Sequence, residues 1–164
     1  MTRQAIKSML AGASGTLVAM VLMTVPAMSH HSFAMYDQAK TETLTGIMKQ
    51  FVGQANHAEL HFYLIAPDRK GLAKSADGKN VEWGVEMAGA AAVAQQGITA
   101  ETFPVGTVFS VKLNPLRDGS NFGSRVGALA RCPVDPTTKK PKLPEAGKHC
   151  DSVPGMTLSG GTAF

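Results

Sequence analysis

The chain has 164 residues, 44% of them hydrophobic, and 16 lysines and arginines against 12 acidic residues. Taking Arg3 and Lys7 away with an N-terminal export segment leaves 14 basic against 12 acidic, a charge of +2, which gives no strong electrostatic reason to hold nucleic acid. Without the first 29 residues about 135 remain, a length that suits one domain with one core.

Residues 1–29 read as a signal peptide. Arg3 and Lys7 precede an apolar stretch, Met9 to Met28, that contains no acidic residue. Two exits with small residues follow, Ala27-Met28-Ser29 before His30 and Val25-Pro26-Ala27 before Met28, and Pro26 marks where a helix should stop. An uncleaved anchor is the alternative, because the stretch is nearly long enough to span a bilayer. Gly12, Gly15 and the small-residue exit favour removal, and the absence of a cysteine near the cut argues against a lipid anchor. The mature protein is therefore expected in the periplasm or secreted, without a stable membrane span.

Residues 30–131 read as a β domain. Thr41 to Val52 is rich in threonine and β-branched residues, with Gly46 as the expected place of a bend or bulge. From His57 to Ile65, Leu60, Phe62 and Leu64 face one way, and His57, Glu59, His61 and Tyr63 the other. After a polar turn region containing Asp77-Gly78, Val81, Trp83, Val85 and Met87 alternate with Glu82, Gly84 and Glu86. Ala88 to Gln96 predicts a helix ending at Gly97. Thr107 to Leu113 and Ser124 to Arg131 supply two more strands. Residues 132–164 are rich in proline and glycine and predict an irregular tail. Its cysteines, Cys132 and Cys150, suit a disulfide in an oxidising compartment, closing a loop of about 18 residues worth about 3 kcal/mol in the chain-entropy model. Two thiolate metal ligands are the alternative, with no second pair nearby.

The order strand, strand, strand, helix, strand, strand predicts an all-β domain with one short helix, a five-stranded OB-like barrel. An open five-stranded sandwich is the alternative, since periodicity does not show closure.

Six motifs carry a family resemblance: His30-His31-Ser32-Phe33-Ala34, Leu44-Thr45-Gly46, Asn56-His57, Glu82-Trp83-Gly84-Val85-Glu86, Gln96-Gly97 and Pro115-Leu116-Arg117-Asp118-Gly119. Over residues 30–131 the chain resembles a bacterial family of small exported proteins of unknown function. The resemblance implies export and a shared fold, and no activity. The chain departs from the family pattern at Ala55, where proline is common, and in its cysteine-bearing tail.

OB barrels take ligands on the outer face of strands two and three, flanked by the loops between strands one and two and between four and five. If Leu60, Phe62, Leu64, Trp83 and Val85 point inward, then His57, Glu59, His61, Glu82 and Glu86 share that outer face, and Arg117 and Asp118 lie in the flanking loop. Each residue alone also fits a plain solvated strand, and Arg117-Asp118-Gly119 a tight turn with a local ion pair.

Metal binding is the sharpest form of the functional reading. His57 and His61 are four residues apart in a strand, with Cα atoms about 13 Å from each other, too far to share an ion without a bulge. His57 with Glu86 across the hairpin is more credible. A chain cut before His30 offers its α-amine and imidazole together with His31, and a chain cut before Met28 places its amine two residues ahead of His30. Both donor sets suit Cu(II) or Ni(II), with copper first. The alternative is a solvated terminus that binds nothing. Enzymatic activity has little support: Ser32 lacks a nucleophile elbow, and phosphate-loop and zinc-protease motifs are absent, though Glu82 and Glu86 resemble an acid/base pair. The expected function is a non-catalytic exported binding module for a small ligand or an envelope protein. Copper or nickel binding through His30, His31 and His57 is the alternative, and an uncharacterised enzyme the next.

Overall fold

The computed structural model describes residues 33–161. The predicted signal peptide and cleavage sites, Ser32, and the candidate ligands His30 and His31 lie outside the described residues.

After a 3-10 turn, Phe33–Met35, the elements are β1 (Glu42–Gly53), β2 (His57–Leu64), β3 (Glu82–Ala88), α1 (Ala90–Gln95), β4 (Val108–Pro115), β5 (Phe122–Arg131) and β6 (Thr157–Ser159), with a second 3-10 turn at Cys150–Ser152. β1, β2 and β3 form an antiparallel meander. β1 pairs antiparallel with β4 on its other side, and β4 with β5. A short parallel ladder, Gly84–Glu86 against Phe122–Ser124, then joins β5 to β3 and closes the sheet. The protein is a five-stranded OB-like barrel, and the closing ladder excludes the open sandwich.

Alternation decides what fills it. Leu60, Phe62, Val85, Phe109, Val111, Leu113 and Leu129 are fully buried in one cluster. Phe109 packs edge-on against Phe62 and Phe103, with centroids 5.2 and 5.9 Å apart. α1 contributes Val93 to the same cluster, and Gly97, with φ +74°, follows the helix C-cap at Gln96. The helix is shorter than Ala88 to Gln96 because Ala88 still pairs with His57 in the β2–β3 ladder. Trp83 is only partly buried, packed against the cluster.

Gly46 is not the bend expected of it. Its register against Leu64 and Phe109 is unbroken, and a Cβ there would strike the Phe62 ring and lie 2.8 Å from the Tyr63 carbonyl oxygen. The glycine makes room for an aromatic ring. The register slips instead between Met48 and Gln50, so Lys49 is the extra residue of a β-bulge.

The tail is more ordered than its composition predicts. The sulfurs of Cys132 and Cys150 are 2.03 Å apart, the length of a disulfide. Beyond it β6 pairs with Leu129–Arg131, the part of β5 that β3 does not cover. Cys132, Cys150, Val153 and Leu158 pack against Ile47, Ile65, Val108 and Ala130, a second core on the outside of the barrel. β4 is accordingly buried on both faces from Val108 to Val111.

Candidate ligand-binding face

The β2–β3 register places His57 opposite Ala88, Glu59 opposite Glu86, His61 opposite Gly84 and Tyr63 opposite Glu82. Because Leu60 and Phe62 fill the barrel, these pairs all lie on its outer surface. Five of the seven predicted residues, His57, Glu59, His61, Glu82 and Glu86, therefore come together.

They form a ladder of polar contacts, with one Lys–Glu ion pair at its end. Glu59 and Glu86 face each other across the strands, a like-charge pair that costs stability unless each is answered. His61 Nε2 stands 2.9 Å from Glu59, and His57 Nδ1 stands 3.1 Å from Glu86. The other nitrogen of His61 lies 3.8 Å from Glu82, whose second oxygen accepts from Lys49 at 2.6 Å. The histidines thus serve different carboxylates, as their strand spacing requires. Gly84 leaves room beside the His61 ring, where a Cβ would come within 3.5 Å of it and collide with Phe122.

Two members of the ladder have no signal in strand periodicity. Tyr36 lies in the chain before β1, is 3% exposed, and donates its hydroxyl to Glu86 at 3.0 Å. Burial, followed by the Glu86 carboxylate, pushes that phenol well above its ordinary range. Lys49 joins through the bulge, which lets its ammonium reach Glu82 and lie 5.5 Å from the Tyr63 ring centre. The hydrogen bond to Glu82 raises the Lys49 ammonium above its usual value.

Arg117 and Asp118 have other work. Arg117 donates through Nε to the Ala34 carbonyl and lies 3.9 Å from Asp37. Its backbone N–H bonds the Met35 carbonyl, and Tyr36 forms a bridge with Leu116. Arg117 is thus a clamp on the segment that delivers Tyr36. Asp118 accepts the Ser120 N–H at 2.9 Å, which lowers its carboxyl, and Gly119 at φ +81° completes a tight turn. The ion pair of this loop reaches back to Asp37 and is not made with Asp118.

Among the described residues no group of three or more His, Cys, Asp or Glu is placed to hold a metal, and no helix is long and apolar enough to cross a membrane. A groove of about 600 Å³ lies elsewhere, bordered by Val105, Arg131 and Val134.

Fold and face together define a class: a small OB-like barrel with a half-exposed histidine–carboxylate ladder on strands two and three. The chain belongs to a family of unknown function, DUF6152, whose model matches residues 18–125. The match includes the whole ladder and stops within β5, before the disulfide-bearing tail. No curated protein and no solved structure matches the chain.

Proposed function

We propose that the protein is an exported binding module that takes a cationic or hydrogen-bond-donating ligand on the outer face of β2 and β3. The observation that supports this reading is the concentration of Glu59, Glu82 and Glu86 on one face, answered among the described residues by one ammonium, that of Lys49. Three carboxylates there outnumber one ammonium. Binding is favoured over catalysis because the side chains of the two histidines and three glutamates are 24% to 38% exposed, leaving water free access to any reacting group. Titration of the labelled protein with spermidine, followed by amide chemical shifts, should move resonances of residues 57–61 and 82–86, while citrate should not. Glu59→Gln with Glu86→Gln should weaken the response, because the carboxylate charge is lost while an amide oxygen remains to accept from Tyr36. Shifts confined to other surfaces, or equal shifts with citrate, contradict the reading.

A second reading is Cu(II) or Ni(II) held at a histidine-bearing mature N-terminus, by the α-amine and imidazole of His30 with His31 beside them. A protein beginning at His30 should take one tight equivalent of Cu(II), with a visible d–d band that weakens as pH falls through about 6.5. A single residue added before His30 should abolish it. Absence of a tight equivalent with the native terminus contradicts this reading and leaves the first untouched.

A further inference from the structure

Beneath the tail, a line of buried polar groups crosses the outer face of β1 and β4. The Cys150 N–H donates to Ser110 Oγ at 2.9 Å. Ser110 Oγ and Thr45 Oγ1 are 2.8 Å apart, and Thr45 Oγ1 is 2.8 Å from His149 Nδ1. Ser110 is 0% exposed and Thr45 1%, so water cannot substitute for a missing partner.

Donor counting fixes the direction of this line. Ser110 Oγ already accepts from Cys150, and its own proton has one acceptor among the described residues, Thr45 Oγ1. Thr45 must then donate onward to His149 Nδ1, which accepts only as the neutral imidazole with its proton on Nε2. Placing a proton on Nδ1 reverses the line and leaves the buried Ser110 hydroxyl with nothing to donate to. Arg69, from the loop between β2 and β3, adds to the penalty, its guanidinium held near by donation to the Lys148 carbonyl. Asp151 opposes it, and Lys148 pairs with Glu145 at 3.0 Å.

We propose that His149 is a pH-sensitive latch: neutral, it locks the disulfide-tethered tail over the β1–β4–β5 face, and protonated, it releases that cover. Burial first, then Arg69, holds the imidazole below its ordinary value while the tail is docked. The released tail titrates at the ordinary value of about 6.5. Docking is therefore at full strength above that value and weakens as pH falls from it towards the lower docked value. Release uncovers Ile47, Val108 and Ala130 and frees the β5 edge at Leu129–Arg131 now paired with β6, while the Cys132–Cys150 bridge keeps the tail at hand for redocking. The face so exposed is apolar and bordered by an open strand edge, which fits an extended segment adding to the sheet. This inference is independent of the β2–β3 ladder.

Amide hydrogen exchange on the full-length oxidised chain tests it. After correction for intrinsic pH dependence, exchange at Cys150 and at Thr157–Ser159 should rise several-fold from pH 8 to pH 5, while amides of β2 keep their protection. His149→Gln, neutral at every pH, should flatten that response. A tail insensitive to pH, or a response that survives His149→Gln, overturns the latch. The unmutated protein supplies a second reading: imidazole nitrogen shifts at neutral pH should show the Nε2–H tautomer for His149, and the Nδ1–H tautomer overturns the proposal.

Discussion

Glu86 has both carboxylate oxygens engaged within the chain, one by the Tyr36 hydroxyl and one facing His57. Its partners differ in what their loss would cost. Removing Glu86 leaves a buried phenol hydroxyl without its acceptor, a penalty of about 1 to 3 kcal/mol. Removing His57, whose side chain is 30% exposed, should change stability by no more than about 0.5 kcal/mol. Leu60→Ala deletes a fully buried side chain and should cost about 2 to 5 kcal/mol. Urea midpoints should therefore fall in the order His57→Ala, Glu86→Ala, Leu60→Ala, the last lowest. A Leu60→Ala variant as stable as His57→Ala would mean that the faces of β2 are reversed. At this scale the sequence exposes the five strand residues of the ladder, because period-two alternation assigns a face to each. It does not expose Tyr36 or Lys49. Tyr36 is fifty positions from Glu86 and belongs to no strand, and Lys49 joins only because a bulge breaks the alternation. His149 is hidden for the same kind of reason: its partners Thr45 and Ser110 look like outward polar residues, and only the tail above them makes them buried.

The elements differ in how they are specified. β2 and β3 have one face in the barrel and one in water, and the ranges read from the residues, His57 to Ile65 and Val81 to Met87, differ from the observed ones by no more than one residue at either end. β4 alternates in the sequence from Thr107 to Leu113, but the tail covers its Val108 and Ser110 face as well, so alternation does not reveal that both faces are buried, and its place beside β1 follows from the closed topology. The Arg117 loop shows the opposite failure. Residues suited to recognition, an arginine and an aspartate beside a glycine, are used to hold Ala34, Met35 and Asp37 and to shape a turn. Chemistry-bearing residue types in an OB flanking loop give no information about direction until their partners are known. β6 is three residues long, below any pattern that alternation can register, and it pairs because the disulfide brings the tail back alongside β5.

For the whole molecule, the outside of the barrel divides into two halves of different character. Strands β2 and β3 present an open, charged face, and strands β1, β4 and β5 are roofed by the tail. The five strands, the helix and the cysteine pair were readable from composition and period; the parallel β3–β5 closure was not, because it rests on three residue pairs between strands more than thirty residues apart. The proposed export and the proposed tethered latch rest on one claim, that the chain is cut from its export segment and oxidised outside the cytoplasm. The intact mass of protein purified from the cell envelope tests that claim most directly. The chain should begin at His30, or second at Met28, and be two hydrogens lighter than its reduced form. A mass that retains Met1 to Ala27, or one that shows free thiols at Cys132 and Cys150, would contradict it.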